Sequence, residues 1–268
     1  MIRSLAKLLT GGGAAPSASF GQGLESRFGV IPEGQRVYAV GDIHGCSRLW
    51  LMLMGEIAID SKDYKGEVTL IFLGDYIDRG PQSSLVIYNV TESLYSAWAS
   101  WQKVYLRGNH EQAMLDFLAD PKRSTAWLGW GGIQTLESYD VPPYGARGLR
   151  EGPALAAELQ LALTERGHEA FYRQTVLSHT IGGYAFVHAG VRPGVTLESQ
   201  LENDLLFIRE DFIGRPHGLP YRVVFGHTIM PQPLVEADKI GIDTGAFQGG
   251  PLTAVVLEGA EVRFIQAA

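Results

Sequence analysis

The chain has 268 residues, of which 46% are hydrophobic, and it carries a formal net charge of −7. A chain of this length can bury one large hydrophobic core or two modest ones. The acidic balance argues against a nucleic-acid partner, because such proteins gain affinity from basic surface. The sequence also lacks the run of about 18 apolar residues that a membrane span requires, so we expect no membrane partner.

The beginning of the chain differs in composition from the rest. Residues 1–33 are rich in Gly, Ala and Ser without a sustained period, which predicts a flexible tail before a single domain over residues 34–268. Met1–Thr10 is short, carries two basic residues and runs into glycines, so a cleaved secretion signal is not expected. The single cysteine, Cys46, excludes an internal disulfide and fits a reducing compartment, which predicts a cytoplasmic protein.

Short polar clusters follow β-type apolar runs at five places in the chain. In chain order these clusters are Gly41–Gly45, Gly74–Gly80, Arg107–Glu111, His188–Gly190 and Gly226–Thr228. Apolar residues at helical spacing follow the first two clusters, which predicts two successive β-loop-α-β units with parallel strands. Polar side chains at strand ends are typical of binding sites in open α/β sheets.

The middle and the end of the chain have different patterns. Residues from about 120 to 180 contain a helical stretch and no ligand cluster, so we predict a mostly helical insertion packed beside the site. Trp127 and Trp130 fit either the core of this insertion or a wall of the substrate cleft. Residues 252–257 and 262–265 predict an antiparallel hairpin. This order of elements favours a mixed β-sandwich flanked by helices over a purely parallel sheet.

Each polar cluster is ambiguous by itself, and the combination is informative. Asp42 with His44, for example, also fits a turn-capping aspartate beside a solvated histidine. Two aspartates and an arginine within Gly74–Gly80 are costly unless something holds their charges together. Carboxylate, imidazole and amide groups at five strand ends indicate a site for two divalent metals rather than one.

Other polar residues fit ordinary roles. His168, His179 and His217 lack ligand partners in the sequence, and we interpret them as ordinary polar residues. Asp243 stands between apolar residues and glycine, which is typical of a strand-to-turn junction.

The ordered set of clusters resembles the phosphoprotein phosphatase (PPP) family of serine/threonine phosphatases, in particular its bacterial branch, within the calcineurin-like metallophosphoesterases. The resemblance runs from Val37 to about Ala246 and includes Leu206–Phe212 and Ile242–Ala246. It implies an α/β fold, a four-layer αββα sandwich of two mixed β-sheets with a dinuclear metal centre at its mouth. It also implies hydrolysis of phosphate monoesters by direct attack of a metal-bridging hydroxide, on phosphoserine, phosphothreonine and also phosphotyrosine.

The resemblance assigns metal ligands residue by residue. One metal ion would be held by Asp42, His44 and Asp75, and the other by Asp75, Asn109, His188 and His227. Such a mixture of oxygen and imidazole ligands suits manganese, with iron and zinc as alternatives.

The resemblance also assigns the groups that handle protons and phosphate. His110 would be the general acid and Asp78 the carboxylate that orients it. Arg79 and Arg209, together with Asn109, would bind the substrate phosphate, since a guanidinium matches two phosphate oxygens. Arg209 also fits a surface ion pair with a neighbouring acidic residue.

Two other functions stay open at this point. A symmetrical dinucleoside tetraphosphate hydrolase would use the same metal core, but Asp78–Gly80 and Glu111 favour the protein-phosphatase branch. A non-catalytic scaffold of the same fold should have lost ligands or the acid, and none is missing. We expect a phosphorylated protein or a small phosphomonoester as substrate, and a monomer or weak oligomer.

Overall fold

A computed structural model describes residues 28–92 and 98–268 of the chain. Most of the predicted tail, residues 1–27, lies outside the described residues. Its last part is packed into the fold, because Ile31 is 1% exposed and its N–H donates to the carbonyl of Gly259 at 2.8 Å. Gly183 donates in the same way to the carbonyl of Val30. The packed chain therefore begins before residue 34, where the sequence pattern placed the domain start.

Strands and helices alternate over residues 35–119, as the first polar clusters predicted. The strands are β1 (Gln35–Val40), β2 (Glu67–Phe72), β3 (Gln102–Tyr105), β4 (Tyr144–Gly145), β5 (Gly148–Leu149), β6 (Ser178–Ile181), β7 (Tyr184–Val187), β8 (Arg222–Phe225), β9 (Leu234–Val235), β10 (Lys239–Gly241), β11 (Leu252–Glu258) and β12 (Glu261–Ala267). The α-helices are α1 (Ser47–Ser61), α2 (Ser83–Thr91), α3 (Asn109–Ala119), α4 (Ile133–Ser138), α5 (Gly152–Glu165), α6 (Glu169–Gln174), α7 (Glu202–Phe207) and α8 (Glu210–Ile213).

Two five-stranded mixed sheets form the centre of the molecule. The first has the order β12-β11-β1-β2-β3, in which β1, β2 and β3 are parallel and the C-terminal hairpin is antiparallel. The second has the order β6-β7-β8-β10-β9, with β7, β8 and β10 parallel. The two predicted β-loop-α-β units and the terminal hairpin are thus confirmed.

The sheets pack face to face, and helices cover their outer faces. Alternate residues of β1 show this arrangement, because Val37 and Ala39 join the core between the sheets while Tyr38 and Val40 face the helices. On the outer face of the second sheet, Phe225 packs against the helical segment that contains Phe212. This confirms the four-layer αββα sandwich. No helix among the described residues is long and apolar enough to cross a membrane.

The segment from 120 to 180 contains α4, α5, α6 and the small β4–β5 hairpin, and it ends in β6. Its buried residues Leu136, Leu155 and Phe171 belong to the same core as α1 and the first sheet. Trp127 is buried in that core as well, whereas Trp130 is 45% exposed. Trp127 therefore belongs to the core of the insertion, and Trp130 does not.

Candidate active site

The five polar clusters meet at one edge of the sandwich, where the parallel strands of both sheets end. Backbone hydrogen bonds connect them, since His44 N–H donates to the Asp75 carbonyl at 2.8 Å and Gly226 N–H donates to the His188 carbonyl at 2.7 Å. The sheets are joined across the seam by His188, whose Nδ1 is 2.8 Å from the carbonyl oxygen of Leu73. Each cluster is thus held by its neighbours as well as by its own strand.

Asp75 occupies the centre of this edge. One carboxylate oxygen lies 3.4 Å from His44 Nε2, and the other lies 3.4 Å from His188 Nε2. Two groups of potential metal-donor atoms share Asp75, one with His44 and His110 and one with His188 and His227, and within each group the atoms lie within 4.8 Å of one another. A carboxylate shared by two donor groups is the arrangement expected for a bridging ligand.

Backbone carbonyls fix the tautomers of two of these histidines. His44 Nδ1 lies 2.8 Å from the carbonyl oxygen of Ile77, just as His188 Nδ1 lies by that of Leu73. Because a carbonyl only accepts, Nδ1 carries the hydrogen in both rings and Nε2 presents a lone pair. Burial lowers the pKa of His44 to about 3, and it also lowers the pKa of His188, so both rings stay neutral as metal ligands must.

The side chain of Asn109 turns its oxygen towards two imidazoles. Its Oδ1 lies 2.9 Å from His188 Nε2 and 2.8 Å from His227 Nδ1. Since His188 has its hydrogen on Nδ1, the lone pairs of His188 Nε2 and Asn109 Oδ1 face each other at 2.9 Å. A cation is the natural partner for such converging lone pairs.

Asp42 approaches from the end of β1 and stands outside both donor groups. Its Oδ2 accepts from the His227 N–H at 3.0 Å, while its Oδ1 has no hydrogen-bond partner among the described residues although it is buried. Nε2 of His227 is also buried and has no hydrogen-bond partner among the described residues. Gly226 leaves the room for this carboxylate, because a Cβ at that position would overlap Asp42 Oδ1.

The buried carboxylates of the site favour the binding of positive charge. Burial, together with the nearby carboxylates of Asp243 and Asp75, raises the pKa of Asp42 well above its usual range. Burial also opposes the ionisation of Asp75, but the imidazoles around it, among them His110 with its raised pKa, lower the pKa of that carboxyl. A bound cation would favour the charged form of all three carboxylates. The orphaned oxygen of Asp42, the facing lone pairs and the neutral imidazoles therefore fit divalent metal ions.

His110 and Asp78 form a buried pair beside these groups. His110 Nδ1 lies 2.7 Å from Asp78 Oδ2, and its Nε2 lies 4.0 Å from Asp75 Oδ2. Burial opposes protonation, but the carboxylates of Asp75 and Asp78 raise the pKa of His110 above its ordinary value. The pair can therefore hold a proton on the imidazole at the edge of the site.

The insertion positions Asp78. Trp127 Nε1–H donates to Asp78 Oδ2 at 2.8 Å, and the Thr135 hydroxyl donates to Oδ1 at 2.6 Å. The backbone N–H of Asp78 donates to the hydroxyl oxygens of Ser83 and Thr135. The sequence did not predict a contact of Trp127 or Thr135 with Asp78. Their link to Asp78 spans 49 and 57 residues, and no local pattern signals it.

Glu111 is a further residue whose role the sequence did not reveal. Its carboxylate accepts from the N–H groups of Asp75 at 2.8 Å, Tyr76 at 2.9 Å, Ile77 at 3.3 Å and Gly108 at 2.9 Å. These contacts fasten the turn after β2 to the start of α3. Glu111 thus sets the positions of Asp75 and His110 without facing the substrate.

The two arginines make different contacts at the site. Arg79 Nη2 is 3.0 Å from His110 Nε2, so that nitrogen accepts from the guanidinium, and a proton can bind there only after Arg79 moves. Arg209 donates to the carbonyl of His227 at 3.1 Å. Its side chain is therefore turned towards the site, and the surface ion pair that the sequence also allowed is not formed among the described residues.

Two histidines lie away from the site, and Asp243 lies near it. His168 lies 2.8 Å from the Tyr139 hydroxyl and His217 lies 2.9 Å from the Asp238 carbonyl, both away from the site. Asp243 accepts from the N–H of Gly245 at 3.0 Å, as expected for a turn, but its charge also reaches Asp42. Asp243 is therefore a further carboxylate at the site that the sequence reading treated as structural.

Comparison with known proteins agrees with this geometry. A family profile described as calcineurin-like phosphoesterase matches residues 35–245. The chain therefore belongs to the calcineurin-like metallophosphoesterase family, as its motifs indicated, and it is a phosphoester hydrolase. Enzymes of this family use divalent metal ions, and the buried histidines and aspartates are the candidate ligands.

Curated relatives differ in activity. The chain is 32% identical over 224 residues to a serine/threonine-protein phosphatase 1 of Salmonella typhimurium, with 82% of this chain and 90% of the relative covered. It is 26% identical over 246 residues to the asymmetrical bis(5'-nucleosyl)-tetraphosphatase PrpE of Halalkalibacterium halodurans, with 84% and 91% covered. Among solved structures, a cold-active protein-tyrosine phosphatase of a Shewanella species aligns with a TM-score of 0.54 and 17% identity over 96% of this chain and 87% of that one. At that identity the structural similarity supports the fold alone.

Proposed function

We propose that the protein is a serine/threonine protein phosphatase that hydrolyses phosphate monoesters with two divalent cations. The observation that carries this proposal is the contact of His110 with both Asp78 and Arg79, next to the shared carboxylate of Asp75. Cleavage of a monoester needs a group that supplies a proton to the leaving oxygen and a cation that binds the phosphoryl oxygens. The Salmonella relative supports a protein substrate.

The metal ligands that we propose are those of the sequence analysis. One cation would be held by Asp42, His44 and Asp75, and the other by Asp75, Asn109, His188 and His227. Cations bound there would polarise the phosphoryl group. They would also lower the pKa of a bound water molecule to about 7. Manganese suits this mixture of oxygen and imidazole donors, with iron and zinc as the alternatives.

The side chains around the metals have separate tasks in this proposal. Arg79 turns from His110 to the phosphoryl oxygens when substrate binds, and Arg209 and Asn109 contact the phosphate from the other side. His110 then holds a proton at Nε2 for the leaving alkoxide. Asp78 keeps the other nitrogen protonated, so the ring presents the correct atom to the substrate.

Hydrolysis of a dinucleoside tetraphosphate is the second candidate function. The PrpE relatives favour it, and they are named for asymmetrical cleavage, whereas the motif comparison had suggested a symmetrical enzyme. Symmetrical cleavage of diadenosine tetraphosphate yields two molecules of ADP, and asymmetrical cleavage yields ATP and AMP. Product analysis therefore separates these two forms directly.

The test is a comparison of kcat/KM for a phosphoserine peptide and for diadenosine tetraphosphate, both with manganese, because this ratio measures differential transition-state binding. We expect the phosphopeptide to have the higher value. A higher value for the tetraphosphate would replace our proposal with the second candidate. If p-nitrophenyl phosphate, the phosphopeptide and the tetraphosphate are all unchanged, the protein is a scaffold. His110→Asn protein from the same preparation controls for contaminating phosphatases.

We also propose a cytoplasmic location, on the basis of the single cysteine, and a monomer or weak oligomer in solution. Fractionation of the source cells tests the first proposal. Light scattering of the purified protein tests the second.

A further inference from the structure

A groove of about 660 Å³ opens beside His110. Apart from Arg79, its main lining side chains come from the insertion and from the loop before β11. These side chains are aromatic rings and primary amides, and they are Trp130, Gln134, Tyr144, Phe247 and Gln248. The strand-end clusters that form the metal site contribute only Arg79 to this set.

The aromatic surface of the groove begins at the catalytic groups themselves. The ring of Phe247 meets His44 edge-on at 5.0 Å between centroids, and the ring of Trp130 lies 6.4 Å from that of His110. The guanidinium carbon of Arg79 lies 4.5 Å from the centre of the Phe247 ring. A group attached to a phosphate held by Arg79 would therefore leave the site between aromatic side chains.

The exposure of these rings indicates a ligand. Trp130 is 45% exposed and Tyr144 is 58% exposed, and both line the groove. Aromatic rings that are left in water beside a polar site gain most when another flat ring covers them. Arg79 is the only charged residue among the described residues that line the groove, so the groove suits a neutral ring next to a phosphate.

We propose that this groove binds the phenyl ring of phosphotyrosine, so that its aromatic side chains raise kcat/KM for a phosphotyrosine peptide relative to the phosphoserine peptide of the same sequence; this inference rests on the proposed phosphatase function. In phosphotyrosine the ring is attached directly to the ester oxygen, which places it next to the phosphate, where Phe247 and Trp130 lie. A nucleobase is separated from its phosphate by a ribose, so it would lie farther from the phosphate than these two rings. Gln134 and Gln248 offer amide groups to the peptide backbone that follows the ring.

The reaction is a simple hydrolysis. Water adds to phosphorus, the bond between phosphorus and the phenolic oxygen breaks, and the phenol leaves with a proton. The products are the tyrosine peptide and inorganic phosphate. No oxidant or further reactant is required.

The test uses two peptides of identical sequence, one with phosphotyrosine and one with phosphoserine. We expect Trp130→Ala to lower the ratio of kcat/KM for phosphotyrosine to that for phosphoserine by about tenfold, and Tyr144→Ala to lower it by a smaller factor. Leu149 is the matched control, because it pairs with Tyr144 across the β4–β5 hairpin, is 52% exposed and does not line the groove. Leu149→Ala should leave the ratio within about twofold. The lower pKa of the phenol does not affect the comparison, since each substrate is compared with itself across variants.

A binding measurement tests the groove independently of catalysis. A peptide with 4-(phosphonomethyl)phenylalanine is not hydrolysed, and calorimetry should show that Trp130→Ala weakens its binding while Trp130→Phe retains most of it. An unchanged ratio in Trp130→Ala, or a larger effect of this variant on diadenosine tetraphosphate than on phosphotyrosine, would overturn the groove proposal and leave the phosphatase function standing. Failure of the unmodified enzyme to hydrolyse either phosphopeptide would instead overturn the phosphatase function, and the phosphonate would still report on the groove.

Discussion

At the scale of single residues, backbone strain is concentrated where the side chains of the site converge. Positive φ angles occur at six non-glycine residues of the described chain, and all except Asp140 belong to the clusters: His44, Asp75, Asp78, Arg79 and His227. The left-handed conformation costs roughly 1–2 kcal/mol for an ordinary residue. The hydrogen bonds that backbone N–H groups of these turns donate to the carboxylates of Glu111 and Asp42 offset part of that cost. Such turns direct side chains from different strands towards one point.

Asp75→Asn is expected to be the most damaging change among the proposed metal ligands. The variant keeps the shape of the side chain but removes the charge that faces His44 and His188, so affinity for both cations should fall together. Metal content by mass spectrometry and kcat should decrease in parallel. Asp63→Asn removes a charge from a side chain that is 88% exposed and serves as the control. An Asp75→Asn protein with two equivalents of metal and normal turnover would contradict the bridging role.

For His110→Asn we expect kcat to fall by roughly 10²–10⁴ while metal remains bound, because loss of a general acid typically has this effect. The loss should be smaller for p-nitrophenyl phosphate than for a phosphoserine peptide, since p-nitrophenolate departs without a proton. Measuring both substrates with the same enzyme preparation gives the comparison. Equal losses of kcat on both substrates would show that His110 has a positioning role and is not the general acid.

Gly226→Ala should weaken metal binding although residue 226 supplies no ligand atom. A methyl group there would overlap Asp42 Oδ1, so that carboxylate would have to move away from its place beside His227. Gly55→Ala in α1 is the control, because a Cβ at that position meets nothing within 4 Å and alanine favours a helix. Manganese affinity by calorimetry should decrease for Gly226→Ala only. Equal affinities in the two variants would show that Asp42 does not contribute to binding.

At the scale of elements, α3 organises the site from its first turn. Asn109, His110 and Glu111 are consecutive, and successive helical residues point about 100° apart. They therefore reach three different places: the two imidazoles of the second sheet, the carboxylate of Asp78, and the backbone of the turn after β2. The free N–H groups of this helix end also favour anions, and the His110 N–H donates to Asp75 at 3.1 Å.

The insertion acts on the chemistry through Trp127, which leads to a prediction. Trp127→Phe removes the N–H that donates to Asp78 at 2.8 Å, so the orientation of His110 should become less defined. We expect kcat to fall about tenfold on a phosphoserine peptide and less on p-nitrophenyl phosphate, a dependence on leaving group that a packing defect would not produce. The pH profile of kcat should shift as well.

Trp50→Phe provides the control for that measurement. Trp50 is 2% exposed in the same core, and its Nε1 has no hydrogen-bond partner among the described residues. The substitution removes a similar volume without removing a contact to Asp78. If both variants lose the same activity on both substrates, Trp127 has a packing role alone.

At the scale of the whole molecule, the site lies on the seam between the two sheets, so its stability and that of the sandwich are linked. Of the proposed ligands, Asp42 and Asp75 follow strands of the first sheet, whereas His188 and His227 follow strands of the second. A cation held between them would bind the folded chain and not the unfolded one. Metal should therefore stabilise the packing of sheet on sheet.

We expect chelation with EDTA to abolish activity, and manganese to restore it better than magnesium, which prefers oxygen ligands alone. Manganese at 100 times its Kd should add about 2.7 kcal/mol to the free energy of unfolding, which corresponds to several degrees in Tm. Thermal unfolding of the EDTA-treated protein with increasing manganese measures this effect. Full activity in excess EDTA, with the metal content shown to be zero, would end the two-metal proposal.

The sequence by itself determined the strands that precede the five polar clusters, the C-terminal hairpin, the family and the residues that gather at the site. Each of these signals is local. An apolar run followed by Gly41–Gly45 or Arg107–Glu111 predicts both the strand and the polar side chains at its end from about ten consecutive residues. The chemistry of carboxylates and imidazoles then predicted metal binding, and the parallel strands explained why the clusters would meet.

Tertiary structure alone decided what surrounds those residues. The contacts of Trp127 with Asp78 and of His227 with Asp42 span 49 and 185 residues, and they depend on how the insertion and the second sheet pack. The groove beside His110 likewise combines Trp130 and Tyr144 of the insertion with Phe247 of a distant loop. Such contacts follow from packing between elements, which leaves no periodic signal in the chain. For that reason the sequence predicted the proposed catalytic groups but not the residues that contact them or line the groove.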